Sequence, residues 1–329
     1  MNAWKLKVSM AATLAVIFGL TTLVFAVILT WAGIGLSIYT IGIFVVVLNI
    51  AQWLLSPYLV GWIYKVKEMP QNENLQIHQM ISDLSQKSGI SAPKLMLSQI
   101  PLPNAFAYGS PLTGSRVAVT QGLLKNLDDG EVEAVLGHEL GHLKHHDVQV
   151  MMVVSFLPAL FYYIGYSLML SGMFGGGQRK NEGGGNNALF GIAFMAFSWV
   201  LTLFTLYLSR LREYYADRHS ALIVENGAQN LSTGLITIVQ ESKQPVKQKD
   251  ERKSHSSYKA LFIADPDRAN ADAAELNTNR IINKQDLLRE TLAKQPTSVD
   301  KFAEVFSTHP NIIKRLRALQ ELSQNPSTY

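Results

Sequence analysis

The stretch Asp128-Asp129-Gly130-Glu131-Val132-Glu133-Ala134-Val135-Leu136-Gly137-His138-Glu139-Leu140-Gly141-His142 decides how the rest of the chain is read. It predicts a helix from Asp128 to His146. Asp128 stands three residues before Glu131, a capping-box spacing, and Val132, Val135 and Leu136 recur at helical intervals. On such a helix His138 and His142 lie one turn apart, about 40° around the axis, so both imidazoles can reach one cation. Glu139 lies about 100° from His138, able to address a water on that cation without ligating it. The pattern is H-E-x-x-H, in which two neutral imidazoles bind Zn²⁺ and an open position holds a water whose pKa falls toward ~7. A carboxylate beside it can take the proton. A surface helix with scattered histidines would carry the same letters, so a third ligand has to decide.

Candidates for that ligand are few. A histidine six residues beyond His142 would fall at Val148, so the metzincin pattern fails. His145 and His146 are too close along the helix to close the site from another direction. Glu213, in Arg212-Glu213-Tyr214-Tyr215-Ala216-Asp217, follows an apolar run that would lead a helix back beside the first. Asp217, one turn on, could hydrogen-bond a ligand's second nitrogen. Simple pairing of both carboxylates with Arg210, Arg212 or Arg218 would also account for them.

The surrounding composition is that of a membrane protein. Hydrophobic residues make up 48% and charged ones 16% of 329 residues, and mean hydropathy is +0.11. The net charge of +4 comes without a basic, aromatic-interleaved patch, so nucleic acid is not an expected partner. With no cysteine, disulfides and thiolate metal sites are excluded. From Val8 to Tyr64 there is no Asp, Glu, Lys or Arg. The run divides near Trp31-Ala32-Gly33-Ile34-Gly35 into two segments of roughly 20 residues, each able to cross a ~30 Å hydrocarbon layer. A cleaved signal peptide ending near Val24-Phe25-Ala26 is the competing reading, but the apolar run continues past it. Val150 to Ser171 and Ala188 to Ser209 are also uncharged, and a buried helical hairpin is the alternative there. Between them lies the glycine-rich link Gly175 to Gly185.

These runs predict an N-terminal transmembrane hairpin (1–64), a first protease segment with the metal helix (65–149), a second hairpin (150–209) and a second protease segment with the third ligand (210–329). Lys5, Lys7, Lys65, Lys67, Arg210, Arg212 and Arg218 put both segments on the cytoplasmic side, while Arg179 and Lys180 dissent. Short strands are expected at Lys94 to Ser98, Asn104 to Tyr108 and Arg116 to Thr120. Ser242 to Ser257 reads as a polar loop.

The order of two apolar spans, His138-Glu139-Leu140-Gly141-His142, two more spans, Arg212-Glu213-Tyr214-Tyr215-Ala216-Asp217 and then Ser307-Thr308-His309-Pro310 with Arg315 resembles the HtpX family of membrane-bound heat-shock metalloproteases, related to the type I CAAX prenyl proteases. Asn104-Ala105-Phe106-Ala107 resembles the family's segment ahead of the metal helix. The resemblance implies a mainly α membrane protein with four transmembrane helices and a small α+β, gluzincin-type zinc metalloprotease domain. It implies one zinc per chain on His138, His142 and Glu213, with Glu139 as base and acid and Asp217 in support. His309 and Arg315 would lie near the substrate, His309 stabilising the oxyanion, although a histidine before proline also fits a helix start. Asn104, Ala105 and Phe106 would form an edge strand that pairs with an extended substrate, or an ordinary strand. Implied too are a multi-pass place in the cytoplasmic (inner) membrane, a cytoplasm-facing site, and damaged membrane proteins as substrates in stress-linked quality control. Between Asp265 and Asp300 the chain is longer and more polar than the family pattern.

Two other functions fit parts of this reading. Processing of a lipidated peptide needs a roomy intramembrane chamber, which four spans hardly supply. A scaffold keeping zinc for structure has no need of Glu139.

Overall fold

A four-stranded sheet interrupts an otherwise helical chain. The computed structural model describes residues 38–174, 184–242, 283–295 and 297–324. The first expected span, the core of the glycine-rich link, nearly all of the Ser242 to Ser257 loop and the first half of the Asp265 to Asp300 stretch lie outside the described residues. In chain order the elements are α1 (Ile38–Ile63), β1 (Val66–Glu68), α2 (Leu75–Ser88), β2 (Lys94–Ser98), β3 (Ala105–Ser110), β4 (Gly114–Thr120), α3 (Gln121–Asn126), α4 (Asp129–Lys144), α5 (Asp147–Phe174), α6 (Gly184–Ile223), α7 (Gly227–Ser242), α8 (Lys284–Ala293), α9 (Ser298–Val305) and α10 (Ile312–Gln324).

Two compact units emerge, Met1–Ile50 with Val154–Thr202, and Ala51–Val153 with Leu203–Tyr329. In the first, Ser198 Oγ donates to the Pro158 carbonyl at 2.7 Å, and Phe161 packs on Phe194 and Phe197 with ring centroids 5.7 and 4.9 Å away. Among the described residues one helix, Asn187–Ile223, is long and apolar enough to cross a membrane, and a shorter apolar helix covers Ile50–Ile63.

The second unit holds the sheet, in the order β1-β2-β4-β3. β1 and β2 pair antiparallel, β2 and β4 parallel, and β3 and β4 antiparallel with Ala105 opposite Val119 and Ser110 opposite Gly114. β3 is therefore an edge strand, as expected, reaching two residues beyond Tyr108. β1 is three residues long, too short for alternation to announce it. Period-2 alternation gives the sheet two apolar faces. Met96, Phe106, Tyr108 and Ala118 pack with Tyr64 against the last turns of α1. Leu95, Ala105, Val117 and Val119 join the main core with Val132, Val135, Leu136 and Leu140 of α4, Leu231, Leu235 and Ile238 of α7, and Ile313 and Leu316 of α10. Burying side chains such as Leu136 and Leu140 completely contributes about 1.5–3 kcal/mol each.

α4 starts where the sequence predicts. Glu131 N–H donates to Asp128 Oδ1 at 2.9 Å and Asp128 N–H to Glu131 Oε2 at 3.3 Å, closing the capping box. Glu131 is itself buried and paired with Lys284 Nζ at 2.8 Å. The helix stops at His145, and His146 turns the chain with φ 53° before α5 begins. α4 then lies unusually close to α6. A Cβ on Gly141 would meet Ala216 Cα at 3.0 Å and His219 Cβ at 3.1 Å, and one on Gly137 would meet Ser220 Oγ at 3.1 Å. Ser220 Oγ donates across this contact to the Ala134 carbonyl at 2.6 Å.

Leucine at Gly141 has nowhere to go between Ala216 and His219, so Gly141→Leu should lower the thermal midpoint of the detergent-solubilised protein by several degrees. Gly234→Ala in α7, where a Cβ meets only ordinary contacts of 3.5 Å or more, should instead stabilise by up to about 1 kcal/mol. Thermal unfolding of both variants checks the opposite signs.

Candidate metal centre

The contact between α4 and α6 brings three ligand atoms together. His138 and His142 face each other with ring centroids 4.7 Å apart and planes at 86°, their Nε2 atoms separated by 3.2 Å. Glu213 of α6 completes the group, Oε2 at 3.7 Å from His138 Nε2 and Oε1 at 3.5 Å from His142 Nε2. One atom from each residue lies within 4.8 Å of the others. A tetrahedral cation with bonds of about 2.0–2.1 Å holds its ligands roughly 3.3 Å apart, close to these separations.

Each imidazole has its Nδ1 fixed by a carboxylate, and each carboxylate by a guanidinium. His138 Nδ1 lies 2.9 Å from Asp217 Oδ1. Arg315 forks onto Asp217, Nε to Oδ2 at 2.9 Å and Nη2 to Oδ1 at 2.6 Å. His142 Nδ1 lies 2.5 Å from Asp147 Oδ2, and Arg212 Nε reaches Asp147 Oδ1 at 3.0 Å. Such partners select the tautomer that leaves Nε2 free to ligate. Arg315 also approaches Glu213, Nη1 to Oε2 at 3.3 Å.

Charge agrees with geometry. Arg212 pairs with Asp147, Arg315 pairs with Asp217 and Glu213, and Glu139 adds its charge beside His142. Burial pushes the Glu213 carboxyl up, but His309, Arg315 and His142 together hold it well below the usual carboxylate range. Asp217 behaves alike: burial raises it, and Arg315 and His138 bring it below its ordinary value. Burial pushes the His142 imidazole down, yet Asp147, Glu213 and Glu139 prevail and raise it. Arg315 is raised in turn, its burial outweighed by Asp217 and Glu213.

The remaining expected residues fall around this cluster. Glu139 is buried, and its Oε2 accepts the Ala107 N–H of β3 at 2.7 Å. Ala107 thus turns its backbone polar groups to the open edge of the sheet, and alternation turns those of Ala105 and Gly109 the same way. Asn104, Ala105 and Phe106 are buried, Phe106 lying 4.9 Å from the Tyr64 ring; this segment offers a ligand main chain rather than side chains. His309 is 20% exposed, its Nδ1 3.4 Å from Glu213 Oε2. Arg315, expected near the substrate, is 2% exposed and engaged with Asp217 and Glu213.

Asp147 escaped the sequence reading. On a continued helix a residue five beyond His142 would sit about 140° away. The left-handed turn at His146 resets the chain so that Asp147 comes back onto His142. Arg212 was legible as the start of its motif but not as the partner of Asp147.

The family model "Peptidase family M48" matches residues 71–323. The chain belongs to peptidase family M48. Among its curated relatives, "Protease HtpX homolog 2" of Saccharolobus solfataricus is 37% identical over 335 residues, covering 97% of this chain and 98% of that protein. "Protease HtpX homolog" of Thermoplasma acidophilum is 34% identical over 305 residues, covering 89% and 90%. A crystal structure of S. mikatae Ste24p shares the fold with a TM-score of 0.57 at 18% identity, over 96% of this chain and 66% of that one. The resemblance to HtpX proteases drawn from motif order is thus borne out, and this M48 chain is a metallopeptidase.

Removing the Asp147 carboxylate leaves the His142 ring unanchored. Asp147→Ala should weaken zinc affinity by about 10–100-fold with helix content unchanged, as measured by chelator competition beside circular dichroism.

Proposed function

We propose that this M48 peptidase is a zinc-dependent endopeptidase of the membrane, cutting cytoplasm-exposed segments of damaged or misassembled membrane proteins. The observation that carries the chemistry is Glu139 beside the His138–His142–Glu213 cluster. Those three residues would hold the ion, with Asp217 and Asp147 fixing the imidazoles. A zinc ion there supplies Lewis acidity, polarising the scissile carbonyl and acidifying a water. Glu139 takes the proton of that attacking water. With Oε2 held by the Ala107 N–H, its Oε1 is the atom left for proton transfer, and the same carboxyl hands the proton to the departing amine. His309 lies with Nδ1 3.4 Å from Glu213 Oε2, and in its imidazolium form it can donate from Nε2 toward the developing oxyanion. An extended substrate adds to the open edge of β3 through main-chain hydrogen bonds, a mode tolerant of sequence.

The membrane part of the reading rests on the apolar helix Asn187–Ile223 and the uncharged runs before Tyr64 and between Val150 and Ser171. Four spans with Lys65, Lys67, Arg210, Arg212 and Arg218 at their cytoplasmic ends account for most of the charge pattern, with Arg179 and Lys180 against it. Glu213 and Asp217 lie beyond Ser209, the end of the last uncharged run, and so just under the membrane surface.

Purified protein should cleave casein and lose that activity with a zinc chelator. Glu139→Gln should bind zinc normally and cleave at least 100-fold more slowly, an expectation from losing the proton acceptor. Equal cleavage by both proteins would sink the mechanism. Glu213→Ala should lower bound zinc sharply from one per chain, and unchanged stoichiometry would remove Glu213 from the site.

A further inference from the structure

Ser110, Pro111, Leu112 and Thr113 form the turn between β3 and β4. Thr113 N–H donates to the Ser110 carbonyl at 3.1 Å, and Gly114 follows with φ +70°, a turn with a left-handed exit that suits a hairpin. Its second central residue is Leu112, 63% exposed, where polar residues or glycine are usual. One exposed leucine proves nothing by itself. This one belongs to a hairpin tied to α1, since Ser110 Oγ donates to the Leu54 carbonyl at 3.2 Å. Just beyond that contact the α1 helix exposes, among the described residues, a stripe of Leu55, Tyr58, Leu59 and Trp62, with Trp62 78% exposed. Lys65 and Lys67 follow at once.

Leucines interleaved with Tyr58 and ending on Trp62, then two lysines, match the change from hydrocarbon to headgroups at a bilayer surface. Leu54 precedes Trp62 by eight residues, about 12 Å along the helix toward the apolar end. A tip held at Leu54 therefore sits on the hydrocarbon side of the aromatic girdle.

We infer that Pro111 and Leu112 insert into the lipid layer beside α1 and so fix the distance from the bilayer to the catalytic carboxylate. Ala107, bonded to Glu139, and Ser110, bonded to α1, lie three residues apart on one strand, about 10 Å. A substrate strand paired with β3 rises at the same rate. Trp62 lies a similar distance from Leu54, and Phe106 packs on the neighbouring Tyr64, so the bond presented to Glu139 lies within about two residues of the girdle where the substrate leaves the lipid. The substrate class is thus narrowed to juxtamembrane segments of bilayer-anchored chains, an inference that rests on the proposed peptidase reading.

The chain lacks cysteine, so Leu112→Cys and an exposed control, Lys125→Cys, can each carry a single nitroxide in the full protein in anionic liposomes. The label at 112 should be reached by oxygen and shielded from an aqueous nickel chelate, and the label at 125 the reverse. Chelate access at 112, shielding from both quenchers, or spin–spin broadening between copies would overturn lipid insertion, pointing to water, a covering segment of the chain or a second copy. In the same liposomes a single-span reporter with a uniform repeated linker reads the reach. Wild-type cuts should cluster within about two residues of the span. Leu112→Asp should scatter them and slow reporter cleavage about tenfold, with casein cleavage in detergent within twofold of wild type. Evenly spread wild-type cuts, an unchanged cluster in Leu112→Asp, or an equal loss on casein would each defeat the proposal. Failure of the wild type to cleave casein would instead defeat the peptidase reading.

Discussion

Everything at the metal centre depends on two helices being allowed to touch backbone to backbone. Gly137 and Gly141 on α4 face Ala216 and Ser220 on α6, and Ser220 bonds the Ala134 carbonyl at 2.6 Å. Small residues at one-turn intervals on both sides remove the layer of side chains that normally separates helices by 8–10 Å. The ligands occupy the edges of that seam: His138 and His142 each stand one residue beyond a glycine, and Glu213 precedes Ala216 by three. A wider seam would leave the same three residues too far apart to share an ion. Sequence spacing alone thus supplies two ligands, and the helix contact supplies the third.

Closeness concentrates charge. Asp147, Glu213, Asp217 and Arg315 are all buried, and a buried ion is costly unless its partners are present and hydrogen-bonded. Here the partners form two parallel chains, Arg315–Asp217–His138 and Arg212–Asp147–His142. Each chain restrains one imidazole and turns its Nε2 inward. The arrangement stabilises a cation-ready geometry more than it stabilises the fold.

Much of this was legible in the residues. Asp128 and Glu131 announced the start of α4, and the turn-rich stretches between the short apolar runs set off Lys94 to Ser98 as β2. His138, Glu139, His142, Glu213 and Asp217 were identifiable because helical periodicity and motif order constrain them. Asp147 was hidden since its role depends on one left-handed residue, His146, which no periodicity reports. Arg315 was identified by position, but its fork on Asp217 was not legible, because burial is a property of the assembled core. The open edge of β3 was foreseen, whereas the bond from Ala107 to Glu139 depends on how sheet and helix are stacked.

The fork of Arg315 on Asp217 has a consequence in time. One relay partner, Arg212, lies within the α6 motif itself, while the other arrives from α10, near the end of the chain. Until α10 docks, Asp217 is a buried carboxylate without its counter-ion, and His138 lacks a settled orientation. Docking of α10 therefore completes the relay to His138, and a helix more than seventy residues away along the chain sets the orientation of the first imidazole.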